Sequence, residues 1–172
     1  MIKDYKGTII CASKYFSTDE IRKIYSKGFH DFGENRVQLM VQKMNELKYL
    51  DINWHFIGHL QSNKVSLIIN RIKYLHTLDR LSVAKAIQKH AKKPIKCFIQ
   101  MNLTQEEQKS GVYIDKMDQF LLDIKKYDKI ECVGLMTMGK DQDRNETQLV
   151  FKKLYELSLK YNLPLLSMGM TH

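Results

Sequence analysis

Apolar positions along the chain follow two alternating rhythms. Thr8-Ile-Ile-Cys-Ala12 is an unbroken apolar and β-branched run, the mark of a buried strand, and it ends on Ser13-Lys14. From Ser17 the rhythm changes to that of a helix: Ile21, Ile24 and Tyr25 recur at i, i+3 and i+4, and Glu20 lies in the first turn. Ser17 or Thr18 is placed to cap that turn, and Gly28 suits the position past its end. Phe29-His-Asp-Phe32 predicts a short strand closed by Gly33-Glu34-Asn35, and Val37, Met40, Val41, Met44 and Leu47 then form the apolar face of a second helix.

The alternation repeats down the chain. Trp54–Gly58 predicts a strand, Gln61-Ser-Asn-Lys64 opens a helix carrying Val65, Ile68 and Ile69, and Tyr74–Leu78 is a strand ending on Asp79. Arg80–His90 is helical with Leu81, Ala84 and Ile87 inward, and Ile95–Asn102 is the next strand, followed by a polar loop through Gly111. Asp115–Lys125 is a helix with Met117, Phe120, Leu121 and Ile124 on one face. Cys132–Met136 is a strand, Glu146–Tyr161 a long helix, and Leu165–Met168 a last strand before Gly169-Met-Thr-His172.

Strands that alternate with helices predict a parallel sheet, and about seven such steps without a reversal predict an α/β fold of the (β/α)8 TIM-barrel type. A complete barrel takes about 200 residues or more, and this chain of 172 stops straight after a strand. The expectation is therefore one domain over residues 1–172, an incomplete barrel lacking its last strand and helices.

Composition changes this picture little. With 44% hydrophobic and 27% charged residues the chain is ordinary globular protein. Cys11, Cys97 and Cys132 lie in strand-like runs without a CxxC pair or a histidine at metal-ligand spacing, and read as buried reduced thiols of a cytoplasmic protein. No stretch has the length of a membrane span, and the charged N-terminus lacks the apolar core of a signal peptide. The net charge of +9 would suit a nucleic-acid binder, but the lysines are spread over helix-like segments with no arginine-rich arm or basic stripe. Solvated helix faces account for most of that charge, and nucleic acid is not expected as a partner.

The candidate chemistry sits at strand ends. In parallel α/β folds ligands bind at the carboxyl ends of the strands, and Lys14 stands at such an end. A partly desolvated amine there can attack a carbonyl; a solvated surface lysine is the other reading, and position alone does not decide between them.

The ordered set Ala12-Ser-Lys14, Phe32-Gly-Glu-Asn35, Trp54-His-Phe-Ile-Gly58, Leu60-Gln-Ser-Asn-Lys64, His76-Thr-Leu-Asp79, Lys109-Ser-Gly111, Gly134-Leu-Met136 and Ser167-Met-Gly-Met170 does more. It closely resembles the pyridoxal phosphate homeostasis proteins, the YggS or PROSC family, which are similar to the barrel domain of alanine racemase. The resemblance implies that Lys14 carries pyridoxal 5'-phosphate as a Schiff base. It also implies that Asn35 bonds the cofactor or steadies the lysine, capping of the next helix being the alternative role, and that Gly169, Met170 and Thr171 form the phosphate-side loop. Thr171 stands where the family commonly has serine. His55 reads as a hydrogen-bonded core residue, Asn63 and Lys64 as a solvated helix start with anion contact as the alternative, and Met136 as packing filler at a strand end with packing beside the cofactor ring as the alternative.

The resemblance further implies a helix ahead of the first strand, of which little is expected in these 172 residues, and an arginine-bearing eighth strand beyond them, so weak cofactor binding is expected of the chain as it stands. The function expected is intracellular homeostasis of the cofactor without strong catalysis, with pyridoxal phosphate-dependent apo-enzymes as partners. The alternative is the barrel domain of an amino acid racemase or decarboxylase that depends on the same cofactor.

Overall fold

The computed structural model describes residues 6–103, 110–139 and 143–169. Strands and helices alternate through it as β1 (Cys11–Ala12), α1 (Thr18–Tyr25), β2 (Asp31–Glu34), α2 (Val37–Glu46), β3 (Asn53–Phe56), α3 (Val65–Ile68) and β4 (Tyr74–Leu78). The series continues as α4 (Leu81–His90), β5 (Ile95–Gln100), α5 (Met117–Ile124), β6 (Ile130–Met138), α6 (Arg144–Tyr161) and β7 (Leu165–Gly169). The seven strands lie in chain order in one sheet, and every pair is parallel.

Strand alternation divides the side chains between two sides. Phe32, Phe56, Leu75, Cys97, Ile99 and Leu135 belong to one buried cluster with Ile21, Met40, Met44, Ile68, Ile87, Met117 and Leu154 from the surrounding helices. The opposite side carries His55, His76 and Ser167, and there the sheet curls: His76 Nδ1 of β4 lies 2.7 Å from Ser167 Oγ of β7. In a flat sheet three strand spacings would hold those positions about 14 Å apart. The sheet is thus a half-barrel whose interior is crossed by polar side chains, the incomplete (β/α)8 architecture expected. Among the described residues β1 and β7 each pair with one strand.

Local signals behave as their chemistry requires. Ser17 caps α1 in a reciprocal box with Glu20, and Gly28 follows the helix at φ +91°, a conformation that needs no Cβ. Asp143 accepts from the Glu146 amide at the start of α6.

Several boundaries differ from the sequence expectation. The first strand shrinks to Cys11–Ala12, because β2 is the neighbour it has and the ladder runs for two residues. The second shifts from Phe29–Phe32 to Asp31–Glu34, which places Gly33 and Glu34 inside the ladder. The sixth lengthens to Ile130–Met138, sustained by β5 on one side and β7 on the other. The third helix is one α turn, Val65–Ile68, preceded by a 3-10 turn at Ser62–Lys64. No helix among the described residues is long and apolar enough to cross a membrane.

Candidate functional site

Lys14 stands two residues past β1, in a turn closed by the bond from Phe16 N to Ser13 O, and is half-buried, with Nζ 5.0 Å from the ring centroid of the exposed Tyr15. What distinguishes it is the residue before it. Ser13 is fully buried, its amide donates to Gly33 O at 2.9 Å, and its carbonyl accepts from Phe16 N at 2.9 Å and from Lys43 Nζ at 2.8 Å. Its hydroxyl lies 2.9 Å from Glu34 Oε1 and 3.2 Å from Gly33 O, and the charged acceptor takes the proton. Lys43 Nζ closes the ring on Glu34 Oε1 at 2.5 Å. Every polar atom of Ser13 is therefore engaged, and the backbone entering Lys14 is fixed by strand, helix and side chain together.

Ser13, Glu34 and Lys43 were not singled out by sequence reasoning, although one signal was present. Lys43 falls on the apolar stripe of α2, between Met40 and Leu47, and a lysine facing inward needs a buried anion.

Asn35 follows β2. The β1–β2 ladder ends at Ala12–Gly33; beyond it the Ser13 hydroxyl reaches Glu34, Lys14 lies in the turn after β1 and Asn35 just past β2. The helix-capping role for Asn35 is overturned: Arg36 is the N-cap of α2, and no side chain caps it. Instead Asn35 Oδ1 is buried with no hydrogen-bond partner among the described residues, a state that costs about 1–3 kcal/mol unless something donates to it. Its backbone lies tight against Gly58, two residues past β3, where a Cβ would stand 2.1 Å from Asn35 O.

Gly169 closes β7, and its carbonyl accepts from Gly139 N at 2.9 Å. Among the described residues, a Cβ there would meet Met138 Sδ at 3.8 Å and nothing closer. Met170 and Thr171 lie outside the described residues, as does Lys109. Lys14, Asn35 and Gly169 all stand at the C-terminal ends of parallel strands, hence at one face of the half-barrel. Met136 is buried near the end of β6, Asn63 is exposed and Lys64 half-buried in the turn before α3. A cavity of about 300 Å³ lined by Asp79, Tyr113, Lys116 and Phe120 lies elsewhere and includes none of the expected site residues.

His55 is the hydrogen-bonded core residue expected, 2% exposed, and its partners are His76 and Asp31. Burial pushes the His55 imidazole below its ordinary value despite the raising pull of Asp31, with Lys73 adding a small push downward. Burial, with the neighbouring His55 charge second, takes His76 from 6.5 down to about 3. The unfolded chain therefore binds more protons than the folded one below pH 6.5. This stability is fully present above that pH and is lost as the pH falls from there toward 3. The slope is at most about 1.4 kcal/mol per pH unit for each imidazole. Thermal unfolding followed from pH 7 to pH 4 should fall more steeply for the wild-type chain than for His76→Phe; parallel profiles would contradict it.

The three thiols are free. Burial raises all three, Cys132 to about 12, which leaves them poor nucleophiles at neutral pH.

Comparison with known proteins follows this geometry. The family described as "Alanine racemase, N-terminal domain" matches residues 19–172. A pyridoxal phosphate homeostasis protein of Aquifex aeolicus is 37% identical over 95% of this chain and 76% of its own length. One from Pseudomonas aeruginosa is 32% identical over 95% of this chain and 74% of its own. Among solved structures, PipY of Synechococcus elongatus PCC7942 with pyridoxal phosphate bound superposes with a TM-score of 0.74 at 22% identity, covering 97% of this chain and 92% of that one. Alanine racemase of Corynebacterium glutamicum does so with a TM-score of 0.69 at 14% identity, over 92% of this chain and 47% of that one. Similarity at these identities is one of fold.

Proposed function

We propose, from the premise that the chain belongs to the pyridoxal phosphate homeostasis proteins, that it holds pyridoxal 5'-phosphate at the C-terminal mouth of the half-barrel through the amine of Lys14. The observation that carries this reading is that Lys14, on a backbone locked at Ser13, and a buried Asn35 Oδ1 that no group among the described residues satisfies stand past the ends of two neighbouring strands. When bound, the cofactor supplies an aldehyde carbon that a primary amine attacks with loss of water. The residues present fit such a group: an amine just past the end of β1 and, just past the end of the neighbouring β2, a buried amide oxygen without a partner among the described residues.

Each residue then has a distinct task. Ser13, Glu34 and Lys43 hold the Lys14 backbone, so that the amine meets its target without ordering that stretch of chain at the moment of capture. Asn35 Oδ1 accepts a hydrogen bond from a polar group on the ligand or from the Lys14 amine. Gly169, Met170 and Thr171 take the phosphate, with backbone amides and one hydroxyl as donors.

The role is that of a carrier in cofactor homeostasis, with pyridoxal phosphate-dependent apo-enzymes as recipients, rather than that of a catalyst. A strong reaction at the mouth needs a positioned base, and the two interior imidazoles are engaged with each other, Asp31 and Ser167. Three free thiols fit a reducing, cytoplasmic setting.

Thr171→Ala tests the phosphate assignment. A hydrogen bond to a charged group contributes about 1.5–3 kcal/mol, so affinity for pyridoxal phosphate should fall about ten-fold or more while affinity for pyridoxal is kept. Equal losses in the two titrations would remove Thr171 from the phosphate. Assays of alanine racemisation with added cofactor separate carrier from enzyme: turnover that disappears in Lys14→Ala would favour the racemase reading.

A further inference from the structure

Four interior side chains that the proposed site does not use form one unbroken chain of hydrogen bonds. Asp31 Oδ1 of β2 lies 3.0 Å from His55 Nε2 of β3, His55 Nδ1 lies 2.9 Å from His76 Nε2 of β4, and His76 Nδ1 lies 2.7 Å from Ser167 Oγ of β7. A neutral imidazole has one N–H and one lone pair, so such a chain could run in either direction. The carboxylate decides, because it can only accept. His55 must donate from Nε2 and accept at Nδ1. His76 must then also donate from Nε2 and accept at Nδ1, and the Ser167 proton is left to complete the chain. Burial favours the neutral form of both rings, as this order requires. Packing holds them in place, with His55 stacked on Tyr74 at 5.1 Å between centroids and His76 on Phe98 at 4.6 Å.

We infer that Asp31, His55 and His76 are positioning residues that act through Ser167. The directed chain fixes the Ser167 hydroxyl with its proton on His76 and thereby pins β7 two residues before Gly169. Among the described residues β7 pairs with β6, and the bond between Ser167 and His76 ties it across the interior to β4 as well. Leu166 of this strand packs against the core, while Leu165 and Met168 are 46% and 49% exposed. A hydroxyl whose proton is engaged is an acceptor to everything else. Ser167 is thus excluded as a donor to phosphate and serves as the anchor of the segment that leads to the donors. This inference rests on the assignment of phosphate to Gly169, Met170 and Thr171.

Two measurements test it. Long-range proton–nitrogen spectra of the wild-type chain without ligand read the tautomers directly: Nε2–H on both His55 and His76 is expected, and Nδ1–H on His76 would overturn the inference. The second titrates pyridoxal 5'-phosphate and pyridoxal into the wild type, His76→Phe and His76→Asn. Phenylalanine keeps the stack on Phe98 but cuts the chain, whereas asparagine sets its carbonyl oxygen where Nδ1 stood and restores the bond from Ser167. The preference for the phosphorylated ligand should drop about ten-fold in His76→Phe and recover most of the way in His76→Asn. An equal preference in all three chains would overturn the positioning role. A wild-type chain without any phosphate preference would instead overturn the phosphate assignment itself, and the tautomers would still decide the direction of the chain.

Discussion

Replacing Lys43 by methionine is expected to remove about 3 to 5 kcal/mol of folding stability, the cost of leaving one member of a buried ion pair without the other. Glu34 is fully buried, and its Oε1 faces Lys43 Nζ and Ser13 Oγ, while Oε2 has no partner. Without the ammonium, the carboxylate keeps one hydroxyl donor in a site that water does not reach, and the Ser13 carbonyl loses one of its two donors. Against a net stability of about 5–15 kcal/mol such a loss is a large fraction of the whole. The double variant Lys43→Met, Glu34→Gln should recover most of it, because the uncompensated charge is gone. Urea unfolding of the wild type, the two single variants and the double variant gives the cycle. A Lys43→Met loss below about 1 kcal/mol would show that the pair does not brace Ser13.

Lys14→Ala should act in the opposite way, with a large effect on binding and a small one on the fold. The side chain is half-buried and contacts the exposed Tyr15 ring, so its removal should shift stability by no more than about 0.5 kcal/mol. Borohydride-stable labelling by pyridoxal phosphate should nevertheless drop to background. Lys14→Arg separates the two properties of the residue, because guanidinium keeps the positive charge and lacks the nucleophilic amine. It should lose the label as completely as alanine does. Labelling that persists in Lys14→Arg would place the covalent chemistry on another residue.

The layered fold was legible because it rests on local periodicity. Tyr74–Leu78 is the strand expected, and the helix that follows it differs by one residue, since apolar spacing and polar flanks there agree with the packing. Strand length was less legible where it depends on neighbours. Thr8, Ile9 and Ile10 have the composition of a strand, yet the ladder with β2 holds only Cys11 and Ala12. Ile130, Glu131, Thr137 and Met138 extend β6 because both of its edges are paired, a property of the sheet rather than of those residues.

The site divides along the same line. The place of Lys14 near a strand end is legible in the sequence but does not by itself decide its role, and Asn35 is nominated by the family resemblance. The clamp on Ser13 joins residues up to 30 positions apart, and the Asp31–His55–His76–Ser167 chain spans four strands. No spacing rule encodes such partners; the curl of the sheet creates them. The inward-facing Lys43 and the two histidines on neighbouring strands were the visible traces, since buried polar groups require partners.

The central claim is that the amine at the end of β1 is the point of cofactor attachment. The most direct test is to incubate the wild-type chain with pyridoxal 5'-phosphate, reduce it with borohydride, digest it, and locate the adduct by mass spectrometry. The account predicts one dominant adduct, on Lys14. An adduct dominant on any other of the lysines, with Lys14 unmodified, would contradict it.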